Sequence, residues 1–438
     1  MEQLSYTQRC NDRGKTMSES VRAAYDEVAR CNRCGFCQAV CPVFDITKDE
    51  RSVARGHNVH IRRLIEGGLE VNKDLKDPLF ECLLCKACVE ACFPEVRTDQ
   101  NVIAARAEYM RQIGQPKAMA FLFRRLLLDH HSLARYVRLA AFGKNSGVSK
   151  LARSLGLLKW FGRDLDRVEG IVERFPRQFF RERSRESPAI EAKPNPTLGY
   201  FVGCGFNFVL PQVSEATLDM LGHVGTPAKI ADNCCCGLPA FTYGDLDAAR
   251  AAAAKNIDVL EKLDADTVVT ECGSCSSFLK TYPELFEDDP QMRARAERLA
   301  KRVQGFSEFI HDRIPSVEPI NPLKVTITYH DPCHMSRYQN IVKEPRQILS
   351  KLPGITYKEL PEADRCCGAA GSYNIMHYEK SMRVLDRKME ALKRTGADIL
   401  TTECPGCLIQ LRYGVRRAGL PVRVLHISQL LREVYVKE

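Results

Sequence analysis

The pattern of apolar and polar residues changes in character along this chain of 438 residues. In the N-terminal part, Val21 to Ala29 and Val59 to Ile65 carry apolar residues at helical spacing, and signals for strands are weak. From Gln112 to Arg185 the pattern stays helical but becomes basic. A stretch rich in proline and polar residues, Ser187 to Pro196, then predicts a linker.

Beyond the linker, short apolar runs alternate with longer helical stretches. The runs are predicted strands: Thr197 to Val202, Thr267 to Thr270, Val325 to Tyr329 and Ile399 to Thr402. The helical stretches include Leu246 to Leu263 and Glu379 to Arg394. Strands that alternate with helices favour parallel α/β units. In such units, ligands bind beyond the carboxyl ends of the strands.

The 20 cysteines fall into tight clusters that form two internal repeats. The first repeat, with an offset of 51 residues, contains Cys31, Cys34, Cys37, Cys41, Cys82, Cys85, Cys88 and Cys92. The second repeat, with offsets of 129 to 132 residues, contains Cys204, Cys235, Cys236, Cys272, Cys275, Cys333, Cys366, Cys367, Cys404 and Cys407. In its two copies, cysteines follow directly after the ends of the four predicted strands.

Several features indicate that these cysteines bind metal. Residues Met1 to Ser20 contain no apolar core of a secretory signal, so we expect a reducing compartment in which thiols stay free. Cysteines of such a chain favour metal binding over disulfides. No uncharged apolar run is long enough to cross a bilayer. We therefore expect a cytoplasmic protein, either free or attached peripherally to the inner face of the membrane.

The first repeat has the spacing of a two-cluster ferredoxin. In that pattern the fourth cysteine of each run serves the other cluster. One [4Fe–4S] cluster is thus predicted at Cys31, Cys34, Cys37 and Cys92, and the other at Cys82, Cys85, Cys88 and Cys41. Pro42 follows Cys41 as the pattern requires, whereas Phe93 is inserted between Cys92 and Pro94. Structural zinc, which also uses paired Cys-x-x-Cys, is the alternative that the spacing disfavours.

Each copy of the second repeat offers five cysteines, one more than a cubic cluster needs. The adjacent pairs, Cys235–Cys236 and Cys366–Cys367, would crowd one cube. They could bridge two irons of a more open cluster, or one thiol could be left over. Gly237 and Gly368 remove the Cβ where we expect the backbone to turn close to a sulfur.

The spacing of this repeat resembles the cysteine-rich CCG domain. That domain occurs in heterodisulfide reductase subunits B and D and in the iron–sulfur subunits of glycolate, lactate and anaerobic glycerol-3-phosphate oxidases. The order of a ferredoxin module and two CCG repeats resembles the fused members of this superfamily. The match covers Cys31 to Cys92 and Leu198 to about Leu431. The segments Cys236 to Phe241 and Cys366 to Asn374 are most similar to the glycolate/lactate branch.

The resemblance implies one or two further [4Fe–4S] clusters, noncubane in form, bound by the five cysteines of each CCG repeat. It also implies a partner, an FAD-dependent dehydrogenase subunit that oxidises a 2-hydroxy acid. Electrons would then pass through this chain to a quinone or another carrier. The chain itself carries no convincing dinucleotide fingerprint or P-loop, so we expect the flavin on the partner.

Two other functions stay open at this point. Both CCG repeats are complete, which is compatible with a heterodisulfide or thiol–disulfide reductase acting at Cys333, Cys367 and Cys407. A zinc-organised scaffold without redox activity is the third hypothesis. Whether the chain is an enzyme by itself is thus undecided, and an electron-transfer subunit is the favoured interpretation.

The net charge of +9 comes from one segment of the chain. Between Asn101 and Ile190 there are 18 Lys and Arg against 8 Asp and Glu. A cationic helix with an apolar face can lie on an anionic membrane or on a partner. A helical layer with solvated charges is the equally weighted alternative. Nucleic acid is not an expected partner, because no fold that reads it is indicated.

These features predict an α+α/β fold with four parts. They are a helical ferredoxin-type domain at 18–111, a basic helical segment with a linker at 112–196, and CCG domains at 197–320 and 321–438. Outside the cysteine sets, Cys234 is interpreted as a neighbour of the ligands. His330 and His334 flank Cys333, and we expect packed or solvated rings, with a hydrogen bond to a cluster sulfur as the alternative.

Overall fold

A computed structural model describes the protein over residues 17–156, 165–186 and 198–436. The predicted linker, Ser187 to Pro196, lies outside these residues. The chain forms two compact units. The first contains the described residues of Met1–Phe123 together with Pro239–Ala248, and the second contains those of Arg124–Leu238 and Ala249–Glu438. The bounds predicted for the four parts of the chain, 18–111, 112–196, 197–320 and 321–438, stay predictions.

The first unit is built from short helices around cysteine loops. The helices are Glu19–Ala23, Tyr25–Ala29, Phe36–Val40, Pro42–Thr47, Ala54–Ile65, Lys76–Phe80, Ala87–Glu90, Thr98–Ile113, Lys117–Phe121 and most of Leu238–Thr242, with 3₁₀ turns at Glu50–Ser52 and Lys73–Leu75. Val21, Val28, Ile61, Leu79 and Tyr109 form the centre of its core. The helical face predicted at Val59 to Ile65 is thus the buried side of a longer helix.

The second unit begins with the basic helical segment and continues into the two CCG repeats. Its helices are His130–Asn145, Val148–Ser154, Leu165–Val168, Phe180–Glu186, Cys204–Phe208, Pro211–His223, most of Leu246–Lys262, Gly273–Lys280, Pro290–Ala300, Phe306–Ile310, Cys333–Gln339, Lys343–Ser350, Tyr373–Met376, Tyr378–Thr395, Pro405–Arg417 and Ile427–Tyr435. Irregular turns lie at Leu122–Leu126 (π), Tyr282–Phe286 and Ile314–Ser316 (both 3₁₀). Among the helices of the described ranges, none combines the length and apolar character needed to cross a bilayer.

The described residues of the second unit contain two parallel four-stranded sheets. Their strands are β1 Leu198–Tyr200, β2 Lys229–Ile230, β3 Thr267–Thr270, β4 Val303–Gly305, β5 Val325–Tyr329, β6 Ile355–Tyr357, β7 Ile399–Thr402 and β8 Arg423–His426. The strand orders are β2-β1-β3-β4 and β6-β5-β7-β8, the same topology twice. Leu198 pairs with Thr267 in one sheet, and Ile327 pairs with Ile399 in the other. The predicted fold class is therefore confirmed.

The four predicted strands are the central strands of the sheets, while the outer strands were not predicted. Central strands are buried on both faces, so they appear in the sequence as continuous apolar runs. β2 is only two residues long and β6 is only partly buried, so neither produces such a run. Both sheets share one apolar core, in which helices Pro211–His223 and Ile427–Tyr435 pack together.

Candidate metal centres

The first unit contains a cavity that gathers cysteines from both ferredoxin-type runs. Its walls carry Cys31, Cys34 and Cys37 from the first run and Cys92 from the second. Cys88 also borders it. The charges of Cys31, Cys34 and Cys92 all act on the thiol of Cys37 and raise its pKa, although burial is the larger cause. The structure thus brings together the set that the spacing predicts for one cluster.

A second cavity in the same unit shows the reciprocal arrangement. Cys82, Cys85 and Cys88 line it together with Cys41 from the first run. Ser52, His57 and Thr98 lie in its wall, next to apolar residues. The fourth cysteine of each run therefore crosses to the cavity of the other, as a two-cluster site requires.

The two cysteine loops have the same backbone conformation. Arg33 and Gly35 have positive φ angles of 55° and 88°, and at the offset of 51 residues Leu84 and Lys86 have φ angles of 51° and 60°. Three of these residues carry a Cβ, which makes the left-handed region costly by about 1 kcal/mol each. Both loops accept this cost at equivalent positions, which fits loops that wrap three sulfurs around one site.

The residue inserted after Cys92 leaves that cysteine at its cavity. Phe93 is 87% exposed, so the additional side chain turns outward. Pro94 lies in the cavity wall beside Cys92. The backbone N–H of Val96 donates a hydrogen bond to the Cys92 sulfur at 3.4 Å. The insertion is thus absorbed by an exposed loop.

The electrostatics of these thiols fit a metal cluster and not a nucleophile. Burial raises the pKa of Cys41 to about 12 and that of Cys82 to about 11. Burial, followed by the charges of Cys82 and Cys85, also raises the pKa of Cys88 far above its usual value. Thiols with such values are protonated and unreactive near neutral pH. A bound cation would deprotonate them, because metal ligation favours the thiolate.

One buried arginine supports the second cavity. Arg106, in helix Thr98–Ile113, donates hydrogen bonds to the carbonyl oxygens of Leu79 (2.8 Å), Cys82 (2.8 Å) and Thr242 (2.6 Å). Its guanidinium lies 4.9 Å from the ring centroid of Phe80. This positive charge also opposes the rise in the pKa of Cys82. No sequence signal pointed to Arg106, because its partners are carbonyl groups distant in the chain.

The first CCG repeat brings its five thiols into one chain of contacts. Cys204 contacts Cys235, Cys235 contacts Cys236, Cys236 contacts Cys275, and Cys275 contacts Cys272. All but Cys204 are buried. The hydrogen bond from the Cys235 thiol lowers the pKa of Cys236 to about 6, so one thiolate is favoured even without metal.

The second CCG repeat places four of its thiols in the same way. The Cys367 and Cys407 sulfurs lie 3.4 Å apart, and contacts continue to Cys366 and to Cys404. These contacts, first from Cys366 and then from Cys407, lower the pKa of Cys367 well below its usual value. Cys333 begins helix Cys333–Gln339 and is more exposed than the other four.

The glycines of the Cys–Cys–Gly triplets leave room for the helix that follows each triplet, and the Gly368 N–H also donates to the Cys366 sulfur at 3.4 Å. Gly237 and Gly368 have φ angles of 95° and 87°. A Cβ on Gly368 would lie 2.8 Å from the carbonyl oxygen of Ser381, in helix Tyr378–Thr395. A Cβ on Gly237 would lie 3.1 Å from the Cβ of Ala252, in the equivalent helix. The expected close approach therefore exists, but the neighbour is the helix that follows each triplet.

A buried glutamate precedes the Cys-x-x-Cys of each repeat. Glu271 accepts hydrogen bonds from the Gly203 N–H (3.3 Å) and the Ser214 hydroxyl (3.1 Å). Glu403 accepts from the Tyr329 hydroxyl (3.0 Å) and the Ser307 N–H (3.2 Å). Burial raises the pKa of each carboxyl to about 7. The sequence pattern shows both glutamates, but burial at the sites becomes evident only in the structure.

The two CCG sites adjoin each other within the second unit. The Ser274 hydroxyl lies 3.4 Å from the Cys404 sulfur, so a residue of the first repeat touches a thiol of the second. The Gly273 N–H donates to the Glu403 carbonyl oxygen at 2.9 Å. The charge of Cys404 also acts on Cys272. A direct contact therefore joins the two thiol sets.

The remaining candidates differ in their surroundings. The Cys234 thiol donates to the Asn256 side chain at 3.3 Å. His334 contacts the Ser277 hydroxyl at 3.2 Å and stacks on Tyr338. His330 is buried against Cys367 and Cys407 of the second site.

Comparison with known proteins agrees with both modules. A family model described as a cysteine-rich domain, CCG, matches residues 198–280 and 327–412. A model described as a 4Fe-4S dicluster domain matches residues 27–96. These models account for the helical cysteine loops and for both α/β repeats.

Curated relatives resemble the chain over its whole length or over about half of it. The chain is 31% identical over 417 residues to the probable glycolate oxidase iron-sulfur subunit of Bacillus subtilis (strain 168), covering 93% of this chain and 94% of that protein. It is 34% identical over 232 residues to lactate utilization protein A of Bacillus cytotoxicus, covering 53% of this chain and 96% of that protein. The protein of that name from an Exiguobacterium species is 30% identical over 239 residues, with coverages of 54% and 98%.

Proposed function

The chain belongs to the family of the glycolate oxidase iron–sulfur subunits, as its sequence predicted, and we propose that it carries electrons from a flavoprotein to an acceptor. The partner would be an FAD-dependent dehydrogenase subunit that oxidises a 2-hydroxy acid such as glycolate or lactate. The acceptor would be a quinone or another carrier. The observation that carries this proposal is the gathering of 17 cysteines into four thiol sets, with Cys333 at the start of the helix beside the fourth.

We further propose that each thiol set holds one cluster, four in total. The first unit would hold two [4Fe–4S] cubes through Cys31, Cys34, Cys37 and Cys92, and through Cys82, Cys85, Cys88 and Cys41. Each CCG repeat would hold a noncubane cluster through all five of its thiols. The chain of contacts among all five thiols of the first repeat, and among four of the five in the second, supports this, because adjacent cysteines can share irons only if both sulfurs face the same site.

When bound, iron–sulfur clusters accept and release single electrons without bond rearrangement in the protein. The residues of this chain bury the sites, hold the thiolates and set the local charge. Arg106 adds a positive charge beside Cys82, while Glu271 and Glu403 place carboxyls behind the CCG sites. These groups would tune how easily each site takes up an electron.

Metal content tests this proposal directly. We expect anaerobically purified full-length protein to contain about 16 irons per chain, with equal sulfide and little zinc, if four tetranuclear clusters are present. Addition of a flavoprotein dehydrogenase and its 2-hydroxy acid should then bleach the cluster absorbance. Protein that is rich in zinc and poor in iron and sulfide would contradict the proposal and favour the scaffold.

A thiol–disulfide reductase remains the second candidate function. It is favoured by the second CCG site, where Cys333 is half-buried and the other four thiols are buried. In that case Cys333, Cys367 and Cys407 would carry the reaction.

The isolated chain, given a reduced donor and a disulfide, would turn over without any flavoprotein. An electron-transfer subunit would show no such turnover.

We also propose peripheral attachment to the cytoplasmic face of an anionic membrane. In helix His130–Asn145, Leu139 and Phe142 are each 70% exposed, and Tyr136 is also exposed. Arg135 and Arg138 lie exposed beside them. Exposed apolar side chains flanked by cations are typical of a helix that lies in the membrane interface.

Vesicle binding tests this attachment. The double substitution L139S/F142S should weaken binding to vesicles with anionic lipid at least tenfold, because it removes two large apolar side chains from the interface. The control I320S changes one exposed apolar residue, 47% exposed, outside this helix. Flotation with anionic and with zwitterionic vesicles measures both effects. Equal binding by all three proteins would contradict the attachment through this helix.

A further inference from the structure

A histidine ring lies against the thiols of the second CCG site, where the first site has a phenylalanine. His330 is 1% exposed, and a ring nitrogen and the sulfurs of Cys367 and Cys407 all lie within 4.8 Å of one another. No hydrogen bond of normal geometry joins either ring nitrogen to another of the described residues, but the ring acts on the Cys367 thiol and, after Cys366 and Cys407, helps to lower its pKa. A buried imidazole needs a polar partner. The Cys367 sulfur, or a group held by it and Cys407, would supply one. At the offset of 129 residues the first repeat has Phe201, also buried.

A buried lysine marks a second difference between the sites. Lys388, in helix Tyr378–Thr395, is 1% exposed, and its ammonium group donates to the carbonyl oxygens of Glu362 and Ala363. Burial lowers the pKa of Lys388 to about 8, while the thiolates of Cys367 and Cys366 act in the opposite direction. A cation in such a place is favoured when negative charge lies beside it.

The first repeat has a neutral residue at the equivalent position. Gly368 packs on Ser381 and Val384, whereas Gly237 packs on Ala249 and Ala252, which sets the offset of these helices at 132 residues. Lys388 therefore corresponds to Asn256. The Asn256 amide donates to the Cys235 carbonyl oxygen and the Tyr282 hydroxyl. The buried glutamates occur in both repeats, so they do not offset the additional cation of the second. The charges of Asp364 and Glu362 also act on Lys388, but both side chains are exposed and water screens them.

We propose that His330 and Lys388 raise the reduction potential of the cluster in the second CCG site above that of the cluster in the first. This inference rests on the proposed function. An added electron makes a cluster more negative. A nearby cation, or a ring nitrogen that donates to a cluster sulfur or replaces a thiolate as ligand, stabilises that negative charge. Burial strengthens both effects, because little water screens them.

The difference gives electron flow a direction within the second unit. One electron leaves the first CCG site, which is oxidised, and enters the second, which is reduced; no bond forms or breaks. The contact between Ser274 and Cys404 supplies a short route. Electrons would thus collect at the second repeat, which identifies the face near Cys333 as their exit.

Redox titration of the full-length holoprotein, followed by electron paramagnetic resonance, tests the proposal. In H330F and in K388M, the midpoint potential of the same one cluster should fall. Each substitution should change the one-electron equilibrium constant at least tenfold, which corresponds to a fall of 59 mV or more. In F201H a different midpoint should rise. K351M, which removes an exposed lysine of the second repeat, should shift none. Unchanged midpoints in H330F, K388M and F201H would overturn the proposal.

A measurement on the wild-type protein avoids dependence on how the variants fold. Protein labelled with ¹⁵N-histidine should show hyperfine coupling from one histidine to a reduced cluster. Strong coupling indicates a nitrogen ligand to iron, and weak coupling indicates a hydrogen bond; each supports the contact. The absence of any histidine coupling would refute the role of His330.

The failure of this inference and that of the proposed function give different results. A protein with about 16 irons and equal midpoints for both CCG clusters would retain the function and lose the inference. A protein without reducible clusters would lose both, and iron and sulfide analysis reveals this before any titration.

Discussion

Replacing Cys41 by alanine should remove the cluster at Cys82, Cys85 and Cys88, although Cys41 belongs to the other run in the sequence. Cys41 borders the cavity of those three thiols and not the cavity of its own run. A cube without its fourth thiolate is exposed to loss of iron. We expect about four of about 16 irons to be lost, and electron transfer through the first unit to fall by at least a hundredfold. Iron and sulfide analysis, with paramagnetic resonance of the remaining clusters, measures the change.

Two further variants make this prediction specific. C92A should cause an equal loss of iron from the other cavity, because Cys92 borders the thiols of Cys31, Cys34 and Cys37. C234A is the matched control, since Cys234 is a buried cysteine that contacts Asn256 and belongs to no thiol set. It should keep its full iron content. If C41A lost the signal of the Cys31 cluster and kept the other, the crossed arrangement would be wrong.

Substituting Gly368 by alanine should unfold the second CCG site. Gly368 has a positive φ angle, which costs an alanine about 1 kcal/mol. The added Cβ would also lie 2.8 Å from the Ser381 carbonyl oxygen, and backbone cannot yield as a flexible side chain can. Because the Gly368 N–H donates to the Cys366 sulfur, a shift here moves a proposed ligand. We expect a loss of about 3 kcal/mol in stability or more and a loss of the second CCG cluster.

A nearby glycine supplies the control for the steric part of this effect. Gly371 also has a positive φ, of 67°, but a Cβ there would meet nothing within 4 Å. G371A should therefore lose only about 1 kcal/mol and keep its iron. Thermal unfolding and iron content of both variants separate the cost of the positive φ angle from the steric overlap of the added Cβ with the Ser381 carbonyl oxygen. Equal effects in G368A and G371A would show that the packing against Ser381 has no role.

The cysteine spacing predicted the modules because metal clusters impose short, fixed distances along the chain. Three cysteines at intervals of three residues can converge only in a tight loop, and both loops show the same left-handed turns at Gly35 and Lys86. The central strands were predictable for a different reason. β3 and β7 are buried on both faces, so each is a short uncharged run of apolar residues and threonine that ends just before Glu–Cys.

Other parts of the sites left no trace in local sequence. Arg106 is a site residue because three carbonyl groups from distant segments converge on its guanidinium. Lys388 lies in a helix of otherwise ordinary amphipathic pattern, so the sequence places it among charged residues that are usually exposed. The sequence favoured a packed or solvated ring for His330. The structure buries the ring and places one of its nitrogens near the Cys367 and Cys407 sulfurs, which local sequence does not show.

The sequence by itself determined which chemistry the chain can hold, namely two ferredoxin-type cysteine runs and two CCG repeats on parallel α/β units. It could do so because ligand spacing and strand burial are local properties. Only the tertiary structure decided how the repeats differ. The first repeat has Phe201 and Asn256 where the second has His330 and Lys388. These differences change the surroundings of the thiols because folding buries the four residues near equivalent cysteines. Burial and proximity between distant segments determine the charge around a site, and neither is encoded in spacing.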